Sequence, residues 1–217
     1  MKRVLIATIT KNDQCSAAFT NSLIGSVKVG FSNNVELLPV FFKSLGNWAM
    51  AANQALTLCN ETKLDGMVLI NPNVSWDPEN LMDLCTTEKD AASIPVATPQ
   101  GFEISLGEMA RLQEDPKSGE IKILGTSLDF IYLSNYTVHK LCESHPTVSY
   151  FGQDTKLVLQ SGDIYASYHT HAEVLSYRLR ELGIQQWVNP QHTAHRHETI
   201  KYEGDFATIL QQIKDAP

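Results

Sequence analysis

Residues 67–78 read MVLINPNVSWDP. An apolar run ends in two carboxamides, Asn71 and Asn73, spaced i, i+2 and followed at once by an Asp-Pro helix start. Strand ends that feed a helix in this way lie at the carboxyl edge of an α/β sheet, where ligands bind. Two chemistries are open to the pair. Amide NH₂ groups donate to phosphate oxygens, and amide oxygens ligate Mg²⁺ or Mn²⁺, although hard cations prefer carboxylates. The competing reading is a tight turn, since Asn and Pro are turn formers and Asn tolerates left-handed backbone.

Five of the seven histidines form two clusters, HTH with His169 and His171, and HTAHRH with His192, His195 and His197. Alternating residues share one face of an extended chain, so each cluster could present paired imidazoles, a set suited to zinc. Against this, no HExxH and no cysteine partner accompany them, and loop histidines are commonly solvated. The carboxylates Asp129, Asp163 and Glu173 read first as caps or solvated groups and second as bases, because a general base must reach the acceptor's proton. Arg178 and Arg180 read as a solvated helix face. No GxGxxG, GxxxxGK[ST] or GxSxG occurs, so dinucleotide-binding, P-loop and esterase readings lack their marks.

These groups need elements to hold them. RVLIATI (3–9) is a nearly continuous apolar run, as in a strand covered on both faces, and GMVLI (66–70) is a second buried strand. Residues 10–33 are polar, with a helix or weak strand among them. VELLPVFF (35–42) is a strand whose Pro39 argues for an edge or a bend. Trp48, Ala51, Ala52, Ala55, Leu56 and Cys59 recur at helical spacing, which predicts a helix over about 46–60. Asp77 is the expected N-cap of the next helix, with Pro78 at its first position. ASIPVAT (92–98) and LDFIYLS (128–134) read as strands, 99–120 as loop with a short hairpin or helix, and NYTVHKLCESH as a helix opened by Asn135. A loop over 146–164 leads to the amphipathic helix HAEVLSYRLRELG (171–183), ended by Gly183. IQQWVNP is a last short strand and GDFATILQQIKDAP a terminal helix. The alternation gives an α/β sheet packed between helices.

Bulk composition agrees. The 217 residues suit one α/β domain, or a domain with a small appendage, and 43% hydrophobic with 19% charged residues is ordinary for a globular chain. A net charge of −7 weighs against broad, non-specific binding to nucleic acid or anionic membrane, without excluding a local basic groove. Cys15, Cys59, Cys85 and Cys142 are scattered and read as free thiols of a reducing cytosol. The N-terminal apolar run is too short for a signal peptide, and no stretch is long enough to span a bilayer. A cytoplasmic protein is expected.

In order, the first strand, the helix with AANQAL, LDGMVLINPNVSWDPENLMDL, ASIPVAT, LDFIYLSNYTVHKL, EVLSYRLRELGIQQWVNP, the histidine cluster and YEGDFATIL resemble GT-A-fold glycosyltransferase-like proteins, particularly the compact forms of bacteria and bacteriophages. The resemblance covers most of residues 1–210 and is most specific over 66–84 and 177–190. It implies a single GT-A-like domain over 1–217, an α/β fold with a mixed, mostly parallel sheet flanked by helices. In that family the strand ends in an Asp-x-Asp motif that holds a divalent metal against the donor diphosphate. Asn71 and Asn73 fall on the two aspartates, so the motif is replaced here by Asn-Pro-Asn. Where the family often has Arg-Asn, this chain has Ala52-Asn53, and Asn53 alone matches. The late helix of the family commonly opens with a Glu-Asp pair supplying the general base. Counting back from Gly183 puts that pair on His171 and Ala172, with Glu173 one residue out of register. A metal-completing histidine falls on His195 or His197, and Asp129 stands where the family often has a small glycine near the sugar pocket.

The resemblance thus implies a glycosyltransferase that moves a sugar from a nucleotide-sugar donor to an acceptor hydroxyl. Thr8 and Thr10 would line the nucleotide pocket, Asn53, Asn71 and Asn73 would face ribose or diphosphate, and Glu173, His171 or Asp129 would be the base. Losing both metal carboxylates removes the strongest electrostatic element of the site. Mn²⁺ or Mg²⁺ on Asn71, Asn73, His195 and His197 would be weakly held, and donor binding is expected to survive without metal. For a phage-encoded chain the implied acceptor is a modified DNA base, which needs a basic or aromatic-lined groove; a glycan or a small molecule are the other acceptors. Two rivals stand beside this reading. One is a catalytically inactive GT-A-like binding or assembly module, suggested by the loss of both motifs; the other is a zinc-dependent hydrolase built on the histidines.

Overall fold

Two apolar runs set the centre of the molecule. In the computed structural model β1 (Lys2–Thr10) and β3 (Gly66–Ile70) pair in parallel, with Val4 opposite Gly66 and Ala7 opposite Leu69. The structure describes residues 1–11, 13–99, 101–102, 104–106, 112–144, 154–160, 163–197, 205, 208 and 211, with backbone alone for 154–160 and 163–169. Outward from β1 lies β2 (Val35–Lys43); outward from β3 lie β11 (Phe130–Ser134), β5 (Ala91–Ser93), β14 (Gln186–Val188) and β9 (Ile121–Ile123). The resulting seven-stranded sheet has the order β2-β1-β3-β11-β5-β14-β9. Strands β2, β1, β3, β5 and β14 run one way and β11 and β9 the other, so the sheet is mixed and mostly parallel. Pro39 sits on the edge strand, where its missing N–H breaks no ladder.

Side-chain alternation along the strands builds a core on each face. Leu5, Ala7 and Ile9 of β1 pack with α2 (Trp48–Glu61), α4 (Asn135–Ser144) and α5 (His171–Glu181). Val4 and Ile6 pack on the other side with α1 (Ala17–Ser32) and α3 (Pro78–Thr86). The helix starts follow the expected chemistry: Asp77 Oδ1 accepts from Glu79 N at 2.9 Å ahead of Pro78. Past α5, Gly183 adopts φ +72°. Burial pushes the Cys59 and Cys85 thiols up to about 12. No described helix is long and apolar enough to cross a membrane.

Some elements sharpen an expectation left open by the sequence and others depart from it. The polar stretch after β1 holds a full helix, α1, N-capped by Ser16, whose Oγ accepts from Phe19 N at 3.0 Å. Its glycines mask the helical pattern, and one has a packing reason: a Cβ on Gly25 would lie 2.8 Å from Pro78 Cγ. The expected strand 92–98 is broken by Pro95 into β5 and β6 (Val96–Thr98), which join different sheets. The strand at 128–134 begins at Phe130, leaving Leu128 and Asp129 in the preceding loop. Within 99–120 lie β7 (Gly101–Phe102) and β8 (Ile104–Ser105), and β8 pairs with β10 (Gly125–Thr126). The supposed loop 146–164 contains β12 (Asp154–Gln160), paired antiparallel with β13 (Asp163–His169). The expected terminal helix lies almost wholly outside the described residues.

A second sheet caps the carboxyl ends of β3 and β5. Its order is β4-β15-β6-β7, with β4 at Val74–Ser75 and β15 at Ala194–Arg196. The chain enters it from β3 through the Asn-Pro-Asn turn and from β5 through Pro95, whose carbonyl accepts from Ala194 N at 2.8 Å.

Candidate functional site

The turn after β3 is held by its own side chain and by its neighbours. Asn71 Oδ1 accepts from Asn73 N at 2.9 Å, an Asx turn, and Asn71 Nδ2 donates to Asp129 Oδ1 at 2.8 Å. Asn71 N donates to the Asp129 carbonyl at 2.8 Å, and Ser16 N to the Pro72 carbonyl at 2.9 Å. Behind the turn Trp76 is buried, with Nε1 donating to Ser26 Oγ at 2.9 Å and its backbone N to Ser22 Oγ at 3.0 Å. Its ring packs edge-on against Phe19 and Phe130, at centroid distances of 5.3 and 5.2 Å.

This turn forms one wall of a cleft of about 830 Å³ whose lining includes Lys11, Trp48, Asn71, Asn73, Asp129 and His171. Asn71 therefore both shapes the turn and lines the cleft, with its carboxamide spent on the turn and on Asp129. Asn73 differs. Its exposed carboxamide has no hydrogen bond among the described residues, so both N–H donors are open to a ligand. Lys11, exposed at the cleft mouth, has no ion pair there among the described residues.

Asp129 lies on the cleft floor with both oxygens engaged. Oδ1 takes the Asn71 bond, and Oδ2 is ion-paired with Arg196 Nη2. Arg196 comes from β15, where it alternates with His195 and His197 and so projects to the opposite face. Sequence reasoning does not single it out, although an arginine set between two histidines along a short strand is the signal.

His171 opens α5 and stacks on Trp48, with ring centroids 5.2 Å apart and planes 21° from parallel. Its Nδ1 is buried without a hydrogen-bond partner among the described residues. Stacking on Trp48 thus fixes the ring. Glu173, the neighbouring candidate, is placed differently: its Oε2 accepts from Thr170 N at 2.7 Å and Thr170 Oγ1 at 3.0 Å, closing a capping box. It points at its own helix start and does not line the cleft.

The remaining expected residues lie elsewhere. Thr8 and Thr10 are buried on the face of β1 that carries Val4 and Ile6, so the cleft is lined instead by Ile9 and Lys11, one residue out of phase. Asn53 sits in the second turn of α2, outside the cleft lining. His197 Nε2 shares a 2.6 Å hydrogen bond with Ser75 Oγ, and His195 pairs in the ladder with Ser75 and Ala97. His192 is buried against Asp83, 3.2 Å away, and is not in the cleft lining. The His169 and Asp163 side chains are outside the described residues. Among the described residues no three His, Cys, Asp or Glu groups converge as a metal set.

The donor set does not fit a divalent cation at the Asn-Pro-Asn turn. Asn71 Oδ1 already accepts a backbone N–H, and Asn71 Nδ2 directs its hydrogen at the Asp129 carboxylate on the floor. That carboxylate carries the Arg196 guanidinium, a fixed cation that repels a second one. His195 and His197, the other proposed ligands, are not in the cleft lining.

No protein-family model matches the sequence, and no curated protein matches it. Among solved structures the fold is similar to the crystal structure of A197 from STIV, with a TM-score of 0.51 and 11% sequence identity, covering 91% of this chain and 86% of that one. The fold is GT-A-like. At such low identity the likeness concerns the path of the backbone, which is the α/β architecture with its mostly parallel central sheet.

Proposed function

We propose that the chain is a glycosyltransferase that moves a sugar from a nucleotide-sugar donor to an acceptor hydroxyl without a metal ion. The observation that carries this reading is the convergence of an unbonded carboxamide, a lysine, a fixed carboxylate and an imidazole on one cleft at the sheet's carboxyl edge. Lys11 and Asn73 offer N–H donors and positive charge to the diphosphate oxygens. Asp129, held on both sides, keeps lone pairs for hydroxyls of the donor sugar. Trp48, under His171, adds a flat apolar surface.

His171 takes the base role. With Nδ1 buried, Nε2 is the nitrogen left to the cleft, and it receives the proton of the acceptor hydroxyl. The acceptor oxygen bonds to the anomeric carbon as the bond from that carbon to the phosphate oxygen breaks, and the nucleoside diphosphate leaves. Acceptor choice stays at the level of a hydroxyl-bearing molecule, whether modified DNA base, glycan or small molecule.

Calorimetric titration with uridine diphosphate and nucleotide sugars, in EDTA and in Mn²⁺, tests the reading. Binding that survives EDTA supports it; no binding in either condition overturns it. The local bonding of Asn71 and Glu173 favours a second reading, a non-catalytic GT-A-like module that binds or assembles without turnover. Donor hydrolysis lost in a His171→Asn variant would exclude that alternative.

A further inference from the structure

We propose that Arg196 is the residue that frees this cleft from a divalent cation, by holding Asp129 as a neutral pair on the floor. The ligand assumed is the diphosphate of the reading above, but the charge argument is separate from it. Asp129 lines the cleft, with its side chain 14% exposed, and Arg196 behind it is 19% exposed, so solvent screens the pair only in part. Each Asp129 oxygen has one donor, Asn71 Nδ2 at 2.8 Å and Arg196 Nη2. Arg196 Nε is buried and has no hydrogen-bond partner among the described residues, so Asp129 is what positions the guanidinium.

Consider the floor without that guanidinium. A half-buried carboxylate would stand beside an amide oxygen at the end of β3, repelling an anionic ligand and offering oxygen donors to a hard cation. Arg196 cancels both effects at once. It thereby occupies, electrostatically, the position that a bound metal would otherwise have to fill. Arg196 touches no reacting atom in this account; it is a positioning residue acting through Asp129.

The test reads Mn²⁺ first, with no nucleotide present. Arg196→Gln should bind Mn²⁺ about tenfold or more tighter than the wild type by electron paramagnetic resonance titration, as removal of a partner that governs a ligand alters metal affinity. Arg196→Lys should behave as the wild type, and Asp129→Asn combined with Arg196→Gln should lose the gained affinity. Calorimetry with uridine diphosphate then follows: R196Q should bind about tenfold more weakly in EDTA and recover in Mn²⁺, whereas the double variant should bind without metal. A residue needed only for folding would lower stability without creating any dependence on Mn²⁺. A folded R196Q that takes up no more Mn²⁺ than the wild type overturns the proposal. Should R196Q fail to fold even in Mn²⁺, Asn71→Asp decides: with Arg196 in place it should take up no Mn²⁺, and tight uptake overturns the proposal. If the wild type binds no uridine diphosphate at all, the transferase reading falls while the Mn²⁺ titrations still judge Arg196.

Discussion

At the start of α5 two side chains, two residues apart, have opposite assignments. His171 lines the cavity, while the Glu173 carboxylate closes the cap of its own helix. Glutamine also completes a capping box, so Glu173→Gln should keep both stability and any transfer activity. Glu173→Ala should cost about 0.5–2 kcal/mol of stability. His171→Asn should abolish transfer and leave the unfolding midpoint near that of the wild type. Steady-state rates beside denaturant curves check this, and loss of turnover in E173Q would return the base role to Glu173. Much of this site is visible in the sequence, because Asn71, Asn73, Asp129 and His171 are polar groups at strand ends or helix starts. Two things are not. The side-chain phase of β1 is lost in a run buried on both faces, so Thr8 and Thr10 cannot be told from Ile9 and Lys11. The Asp129–Arg196 pair spans 67 positions, and no local pattern encodes such a contact.

At the scale of elements, legibility follows how much of the signal is local. β1, β3, α2, α3 and α5 carry continuous apolar runs, periodicity or caps, and they form where expected. Helix α1 is obscured because Gly25 serves a partner helix rather than its own: it lets α1 approach Pro78 at the start of α3. A methyl group there would sit 2.8 Å from Pro78 Cγ. Gly25→Ala gains about 1 kcal/mol in helix propensity but incurs about 1–3 kcal/mol of overpacking, so the variant should be destabilised overall. Urea unfolding checks the sign; a stabilised variant would mean that the two helices separate freely. The β5/β6 division is a similar case, since Pro95 reads as an interruption but only the fold shows that the chain changes sheets there.

For the whole molecule, a buried histidine in the link from β14 to β15 should make stability depend on pH. His192 lies 3.2 Å from Asp83 Oδ2, yet burial pushes its imidazole below the usual value, with Asp83 opposing. The folded state therefore binds the proton less readily than the unfolded chain. Stability is complete above the unfolded value of about 6.5 and declines as pH falls from there toward the folded value. Denaturant midpoints measured across that window should drop on acidification, and His192→Gln should flatten the slope. A rise on acidification would show that the Asp83 ion pair outweighs burial.

The Asn-Pro-Asn turn has one more implication, for how such a protein can change over generations. Its shape is kept by backbone bonds, by the seat of Trp76 and by the tie to Ser16, and an aspartate at position 71 could accept the Asn73 N–H as an asparagine does. Exchange of amide for acid at this point keeps the bond to the Asn73 N–H but gives up the one from Asn71 Nδ2 to Asp129 and sets a second carboxylate beside the first, so the new charge bears on Asp129 and its Arg196 partner. Inheritance can thus revise the chemistry of the cleft by a single codon only where the Asp129–Arg196 pair absorbs the change.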